Sequence, residues 1–77
     1  MLLVSQNREL ILNFNLMKAI SIDDKTYSIA AYLDTSNMAK LGEYANIKRA
    51  QQVMVSLIEM YLNNTENNAL VFYMPEN

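Results

Sequence analysis

The sequence has no cysteine and no histidine, and these two absences remove whole classes of structure and chemistry. No disulfide can stabilise the fold, and the commonest soft ligands of a zinc ion are missing. General acid-base and nucleophilic catalysis are left to carboxylates, amines and hydroxyls. We therefore predict a protein that is not an enzyme, with no catalytic residue, no metal site and no cofactor.

The one adjacent pair of acidic side chains does not change that expectation. Asp23 and Asp24 would face opposite sides of a strand, which is a poor arrangement for paired acid-base catalysis. The run Asp23-Asp24-Lys25 instead predicts a turn, because aspartate side chains bond to nearby backbone groups.

An excess of charge and a long apolar run are also missing. Six basic and eight acidic residues give a net charge of -2, without the basic stripe that nucleic-acid binding requires. No run approaches the roughly 20 apolar residues that span a bilayer. Residues 1–4 are apolar but lack the basic start and length of a signal peptide. We expect a cytoplasmic protein that binds neither nucleic acid nor membrane.

What the chain has in abundance is apolar side chains. Of its 77 residues, 52% are hydrophobic, which is generous for a single domain with so small an interior. Small cores usually need a disulfide, a metal or a partner subunit. With the first two excluded, association with a second copy or with another protein is the expected supplement.

The apolar pattern predicts an α+β fold in one domain covering residues 1–77. Short extended segments are expected at residues 1–5, 10–14, 18–22, 27–33 and 38–44, and a last strand at residues 69–73. Short connections favour one antiparallel meander sheet of four to five strands, followed by a helix and the final strand. Gly42, the only glycine, interrupts its strand and predicts a bulge or a close backbone approach.

The helix has the clearest pattern in the sequence. It is predicted over residues 47–62 with an apolar stripe made by Ile47, Ala50, Val53, Met54, Leu57, Ile58 and Tyr61. Asn46 is a suitable N-cap, because its side-chain oxygen can accept a free first-turn amide. Asn63 and Asn64 are suited to end the helix in a left-handed turn.

Four short motifs together resemble a group of small proteins from Gram-positive bacteria, their phages and mobile elements. The motifs are Ser5-Gln6, Leu41-Gly42-Glu43-Tyr44, Arg49-Ala50 with Val53, and Phe72-Tyr73-Met74-Pro75-Glu76. The resemblance covers nearly the whole chain and implies a phage or mobile-element setting rather than an activity. Where that group has threonine and then acidic residues, this chain has Asn46-Ile47-Lys48, which makes the helix start more basic.

Four apolar or aromatic residues are the predicted interface candidates: Tyr32, Val55, Met60 and Tyr73. Tyr32 lies on the opposite face of its strand from Ile29 and Leu33, and tyrosine is enriched at protein interfaces. Val55 and Met60 fall outside the main helical stripe and would be exposed in a monomer. The alternatives are ordinary sheet packing for tyrosines and the scattered apolar residues that any surface carries. Strands at residues 70–73 or 1–5 could also leave an edge open to another chain.

Three basic residues near the helix start are candidates for anion binding: Lys40, Lys48 and Arg49. Free amides and the helix dipole attract anions, and these side chains could complete a phosphate or carboxylate pocket. The alternative is a surface pair between Arg49 and Glu43, and a phosphate loop would normally supply several glycines.

Two hypotheses follow. The first is a small non-catalytic interaction protein of phage or mobile-element origin, acting as a homodimer or bound to a host or phage protein. The alternative is a small-ligand or nucleotide-binding module that uses Lys40, Lys48, Arg49 and the helix N-terminus.

Overall fold

The computed structural model describes residues 1–63 and 70–77. These residues form an α+β fold. In chain order the elements are β1 (Leu2–Val4), β2 (Ile11–Asn13), a short 3-10 helix (Phe14–Leu16), β3 (Ala19–Ile22), β4 (Ser28–Tyr32), β5 (Met38–Glu43), α1 (Ile47–Leu62) and β6 (Val71–Tyr73). Each predicted element is present with shorter strands, and the 3-10 helix was not predicted. The predicted start of the last strand, Ala69, lies outside the described residues.

The strands form two sheets, so the predicted single meander is wrong. One is a mixed sheet in the order β2-β1-β6, and the other is an antiparallel sheet in the order β3-β4-β5. In the mixed sheet β1 pairs antiparallel with β2 and parallel with β6. The parallel pair joins the two ends of the chain, and the intervening elements supply the crossover that parallel strands require.

Gln6 connects the two sheets just after β1. Its backbone N–H donates to the Leu41 carbonyl at 2.7 Å. Its side-chain amide accepts from the Glu43 N–H at 2.8 Å and donates to the Glu43 carbonyl at 3.0 Å. The side chain therefore pairs with the end of β5 much as a backbone amide would in a ladder.

Gly42 lies at an irregularity in the β4–β5 pair, which confirms both features predicted for it. Ile29 pairs with Gly42 but the next residue, Ala30, pairs with Lys40, so Leu41 is the extra residue of a bulge. A Cβ added at Gly42 would lie 3.0 Å from the Tyr44 hydroxyl and 3.1 Å from Gln6 Cβ. Both neighbours approach the backbone more closely than a side chain there would comfortably allow.

One core joins both sheets and the helix. Its fully buried members include Leu3 from β1, Ile29 and Ala31 from β4, Leu41 from β5, Ala50, Val53 and Leu57 from α1, and Met74 after β6. The helix begins as predicted, with Asn46 Oδ1 accepting from the Arg49 N–H at 2.8 Å. It does not end in a left-handed residue at Asn63, whose φ is -87°. Asn64, the second residue expected there, lies outside the described residues.

The predicted turn at Asp23 is present, and a second polar turn follows β4. Asp23 Oδ1 accepts from the Lys25 N–H at 2.8 Å. Asp34 Oδ1 accepts from the N–H groups of Ser36 and Asn37, each at 2.8 Å. Hydrogen bonds from the backbone and side chains of Ser36 and Asn37 hold the pKa of Asp34 below its ordinary value. The bond from the Ser36 N–H is the largest cause.

Candidate functional site

One flank of α1 carries a second apolar stripe that does not face the core. Val55, Ile58 and Leu62 are 52%, 47% and 72% exposed. Their spacing of three and then four residues places them on the same side of the helix. We call these three residues the helix flank. The sequence prediction placed Ile58 in the buried stripe, and this is corrected: Ile58 lies at the boundary and turns toward solvent with Val55.

The apolar surface continues next to the C-terminal end of α1. The rings of Phe14 and Tyr61 are in contact, with centroids 5.0 Å apart, and this contact holds the 3-10 helix beside the end of α1. Leu16, the last residue of that 3-10 helix, is 73% exposed. Leu16 is thus a further large exposed apolar side chain, in the 3-10 helix that packs at the end of α1.

The outer face of the antiparallel sheet is a second, flatter surface. Tyr32 pairs directly with Met38 across β4 and β5, and they are 36% and 62% exposed. Small side chains such as Ser21, Ser28 and Ala30 line the same shallow groove of about 370 Å³. Tyr32, a predicted interface candidate, therefore faces solvent as expected but shows less of its surface than the residues of the helix flank.

The other two interface candidates differ from each other. Met60 is only partly exposed and packs against the core, so the expectation that it would be exposed is corrected. Its position on α1 lies closer to the buried Val53 and Leu57 than to the exposed Val55. Tyr73 is 60% exposed on β6, and the guanidinium of Arg8 lies 5.3 Å from the centre of its ring.

The three candidate anion-binding residues do not come together in one site. Lys40 Nζ forms an ion pair with Glu43 at 3.0 Å. Lys40, with Ser28, holds the pKa of Glu43 below its ordinary value, and the hydrogen bond from Lys40 is the largest cause. Arg49 Nε donates to the main-chain oxygen of Asn77 at 3.0 Å and does not pair with Glu43. Lys48 is exposed and lines a surface depression together with Arg49, whereas Lys40 lines a different one.

The segment after β6, residues 74–77, is held by its main-chain oxygens. Each oxygen accepts from one side chain: Met74 from Arg8 at 2.8 Å, Pro75 from Tyr44 at 2.8 Å, Glu76 from Gln6 at 2.9 Å, and Asn77 from Arg49 at 3.0 Å. We call residues 74–77 the β6 extension and these four donors the carbonyl clamp. The clamp includes residues from three of the four motifs behind the family resemblance, and the extension includes residues of the fourth. Individual polar side chains in the sequence gave no sign of this grouping.

Tyr44 is a buried residue whose hydroxyl has a raised pKa. The side chain is 5% exposed, and burial raises the pKa of its hydroxyl above the ordinary value of 10.0. The guanidinium groups of Arg49 and Arg8 oppose that shift. The hydroxyl is therefore a neutral donor to Pro75 at all ordinary pH values.

Among residues 1–63 and 70–77 there is no group of three or more acidic side chains that could hold a metal ion. These residues also contain no helix long and apolar enough to cross a membrane. Comparison of the chain with family models, with curated proteins and with solved structures gave no match.

Proposed function

We propose that this protein is a small non-catalytic interaction protein that binds a second copy of itself through the helix flank. The observation that supports the proposal is the exposure of Val55, Ile58 and Leu62 along one side of α1. A helix that packs on one side only needs a single apolar stripe, so a second stripe on the same helix favours a partner.

The free energies gained and lost on association are similar in size, which indicates a weak dimer. Complete burial of a large aliphatic side chain is worth about 1.5–3 kcal/mol, so a half-exposed one gains roughly 1 kcal/mol on association. The three flank residues on each copy together gain about 6 kcal/mol across a symmetric interface. Association costs about 4–15 kcal/mol in lost freedom of motion, which is of similar size. The dimer population should therefore depend strongly on protein concentration.

The alternative ligand-binding function receives less support. Lys40 is paired with Glu43 and Arg49 is bound to Asn77, so two of its three proposed cations already have partners. The resemblance to proteins of phages and mobile elements of Gram-positive bacteria supports a phage or mobile-element origin for the interaction protein. A host or phage protein is the second occupant we consider for the same flank.

Concentration-dependent amide NMR spectra test the proposal. Dilution should shift the amide resonances of Val55, Ile58 and Leu62 together, and the resonances of Ile20 and Ala31 should not move. Tyr32→Ala should leave the dilution behaviour unchanged if the sheet face lies outside the interface. Spectra of the helix flank that do not change with concentration would contradict self-association.

A further inference from the structure

The carbonyl clamp recognises main chain rather than side chains. The regular ladder with β1 ends where the Met74 N–H donates to the Val4 carbonyl at 2.9 Å, and the next residue, Pro75, has no N–H. Beyond the Met74 N–H, the main chain of the β6 extension acts only as a hydrogen-bond acceptor. Its oxygens accept the four bonds from the clamp side chains described above. A row of main-chain oxygens is available in any extended peptide, so the clamp is not restricted to this sequence.

Residues 75–77 are held less firmly than Met74. Met74 is fully buried, whereas Glu76 and Asn77 are exposed, and the bonds from Gln6 and Arg49 to them lie at the surface. The ion pair between Arg8 and Glu76 is 3.7 Å long and solvent-exposed, so it adds little. The gain from these bonds is similar in size to the conformational entropy lost when three residues are fixed.

The clamp keeps its shape by contacts that do not involve the extension. The Gln6 amide bonds both backbone groups of Glu43, which fixes its orientation. Arg8 Nη1 also donates to the Ser5 carbonyl at 3.1 Å. Tyr44 is buried in the core. Gln6, Arg8 and Tyr44 would therefore remain in position if residues 75–77 moved away, and a preorganised site binds at lower cost.

We propose that the carbonyl clamp is a binding site for an extended acidic segment of another polypeptide, and that residues 75–77 are a built-in competitor for it. Acidity of the partner follows from the two guanidinium groups of Arg8 and Arg49, which favour carboxylates. The Arg8–Glu76 pair shows how such a carboxylate would sit. This site uses none of the residues of the helix flank, so its test is independent of the proposed dimer.

Glu76→Lys in the 77-residue chain provides the sharpest test. It replaces the attraction between residue 76 and Arg8 with repulsion, which should release the extension and open the clamp. The probe is a fluorescent synthetic peptide, Tyr-Met-Pro-Glu-Asn, followed by anisotropy. Because the extension is held by bonds that only balance its loss of entropy, it is already released about half of the time, so we expect Glu76→Lys to bind the peptide up to about two-fold more tightly than the unaltered protein. Glu59→Lys, which makes the same charge change on the exposed side of α1, should bind like the unaltered protein.

Two further measurements complete the experiment. Adding Gln6→Ala to Glu76→Lys should abolish the gain, because it removes a clamp donor. In the unaltered protein, excess peptide should shift the NMR carbonyl resonances of residues 75–77 toward those of the free peptide, which tests the site even if a variant fails to fold. An equal affinity of Glu76→Lys and Glu59→Lys, or carbonyl resonances that excess peptide leaves in place, would overturn the proposal.

Discussion

At the scale of single residues, Gly42 has two close neighbours, Tyr44 and Gln6. It lies at the bulge of β5, and its missing side chain leaves room for Tyr44 and Gln6. Neither neighbour can move easily, because the Tyr44 hydroxyl donates to the Pro75 carbonyl and the Gln6 amide bonds to Glu43. Gly42 therefore connects the bulge to the carbonyl clamp.

Gly42→Ala is expected to destabilise the protein by about 1–3 kcal/mol, the usual cost of overpacking. The added methyl group would lie 3.0 Å from the Tyr44 hydroxyl oxygen and 3.2 Å from its ring. Urea denaturation measures the loss. In a Tyr44→Phe background, which lacks the hydroxyl, the same substitution should cost less, because the two positions are in contact. Equal costs in both backgrounds would show that the hydroxyl is not the group that resists the methyl.

Tyr44 also gives a prediction for alkaline pH. Burial raises its pKa in the folded protein above the ordinary 10.0, so the unfolded chain ionises first as pH rises. The stabilising effect of the protonated hydroxyl is complete below pH 10.0 and disappears as pH rises through the higher folded pKa. The free energy of unfolding should thus fall more steeply above pH 10.0 in the unaltered protein than in Tyr44→Phe. Parallel pH curves for the two proteins would argue against a raised pKa.

At the scale of elements, the start of α1 is set by a local capping residue. Asn46 caps α1 through a 2.8 Å bond to the Arg49 N–H, as its residue type predicts. Arg49 itself then reaches the β6 extension from the first turn. The start of α1 therefore fixes both the helix and one donor of the carbonyl clamp.

Asn46→Ala should destabilise the protein by about 1 kcal/mol, the typical cost of losing an N-cap side chain. Asn46→Ser keeps an oxygen acceptor at the same position and should retain most of the stability. Thermal unfolding followed by circular dichroism compares the two variants. Equal destabilisation by serine and alanine would show that the capping hydrogen bond is not what Asn46 contributes to stability.

The sequence predicts the elements better than their arrangement. Periodicity located α1 and the six strands because side-chain spacing is a local property. It could not reveal that β6 pairs with β1, since those residues are about 70 positions apart and no local pattern specifies a partner. It also placed Ile58 in the core and Met60 at the surface, because a stripe read from spacing alone leaves its boundary residues undecided.

The candidate surfaces were predictable to a similar degree. Val55 was expected at the surface from its spacing, and the same spacing extended to Ile58 and Leu62 would have revealed the whole helix flank. The position of Leu16 near the end of α1 depends on the contact between Phe14 and Tyr61. That contact joins distant parts of the chain, so local spacing does not predict it. The carbonyl clamp depends on donors from the loop after β1, from the residue that follows β5 and from α1, and no spacing rule connects them.

At the scale of the whole molecule, the fold hides one apolar stripe of its helix and leaves another in water. The core contains the side chains that a chain of 77 residues can enclose, and the exposed apolar positions form the surface on which the proposed dimer depends. Ile58 lies in the middle of that surface. Ile11, on β2 in the mixed sheet, is an isoleucine with at least as much exposure, at 62% against 47%.

Sedimentation of matched lysine variants tests this account most directly. The unaltered protein should shift from monomer toward dimer as its concentration rises. Ile58→Lys should stay monomeric at every concentration, because it places a charge at the centre of the interface. Ile11→Lys, the same substitution at an exposed site outside it, should associate like the unaltered protein. An unaltered protein that remains a monomer throughout, or an Ile58→Lys variant that dimerises as readily as Ile11→Lys, would contradict the account.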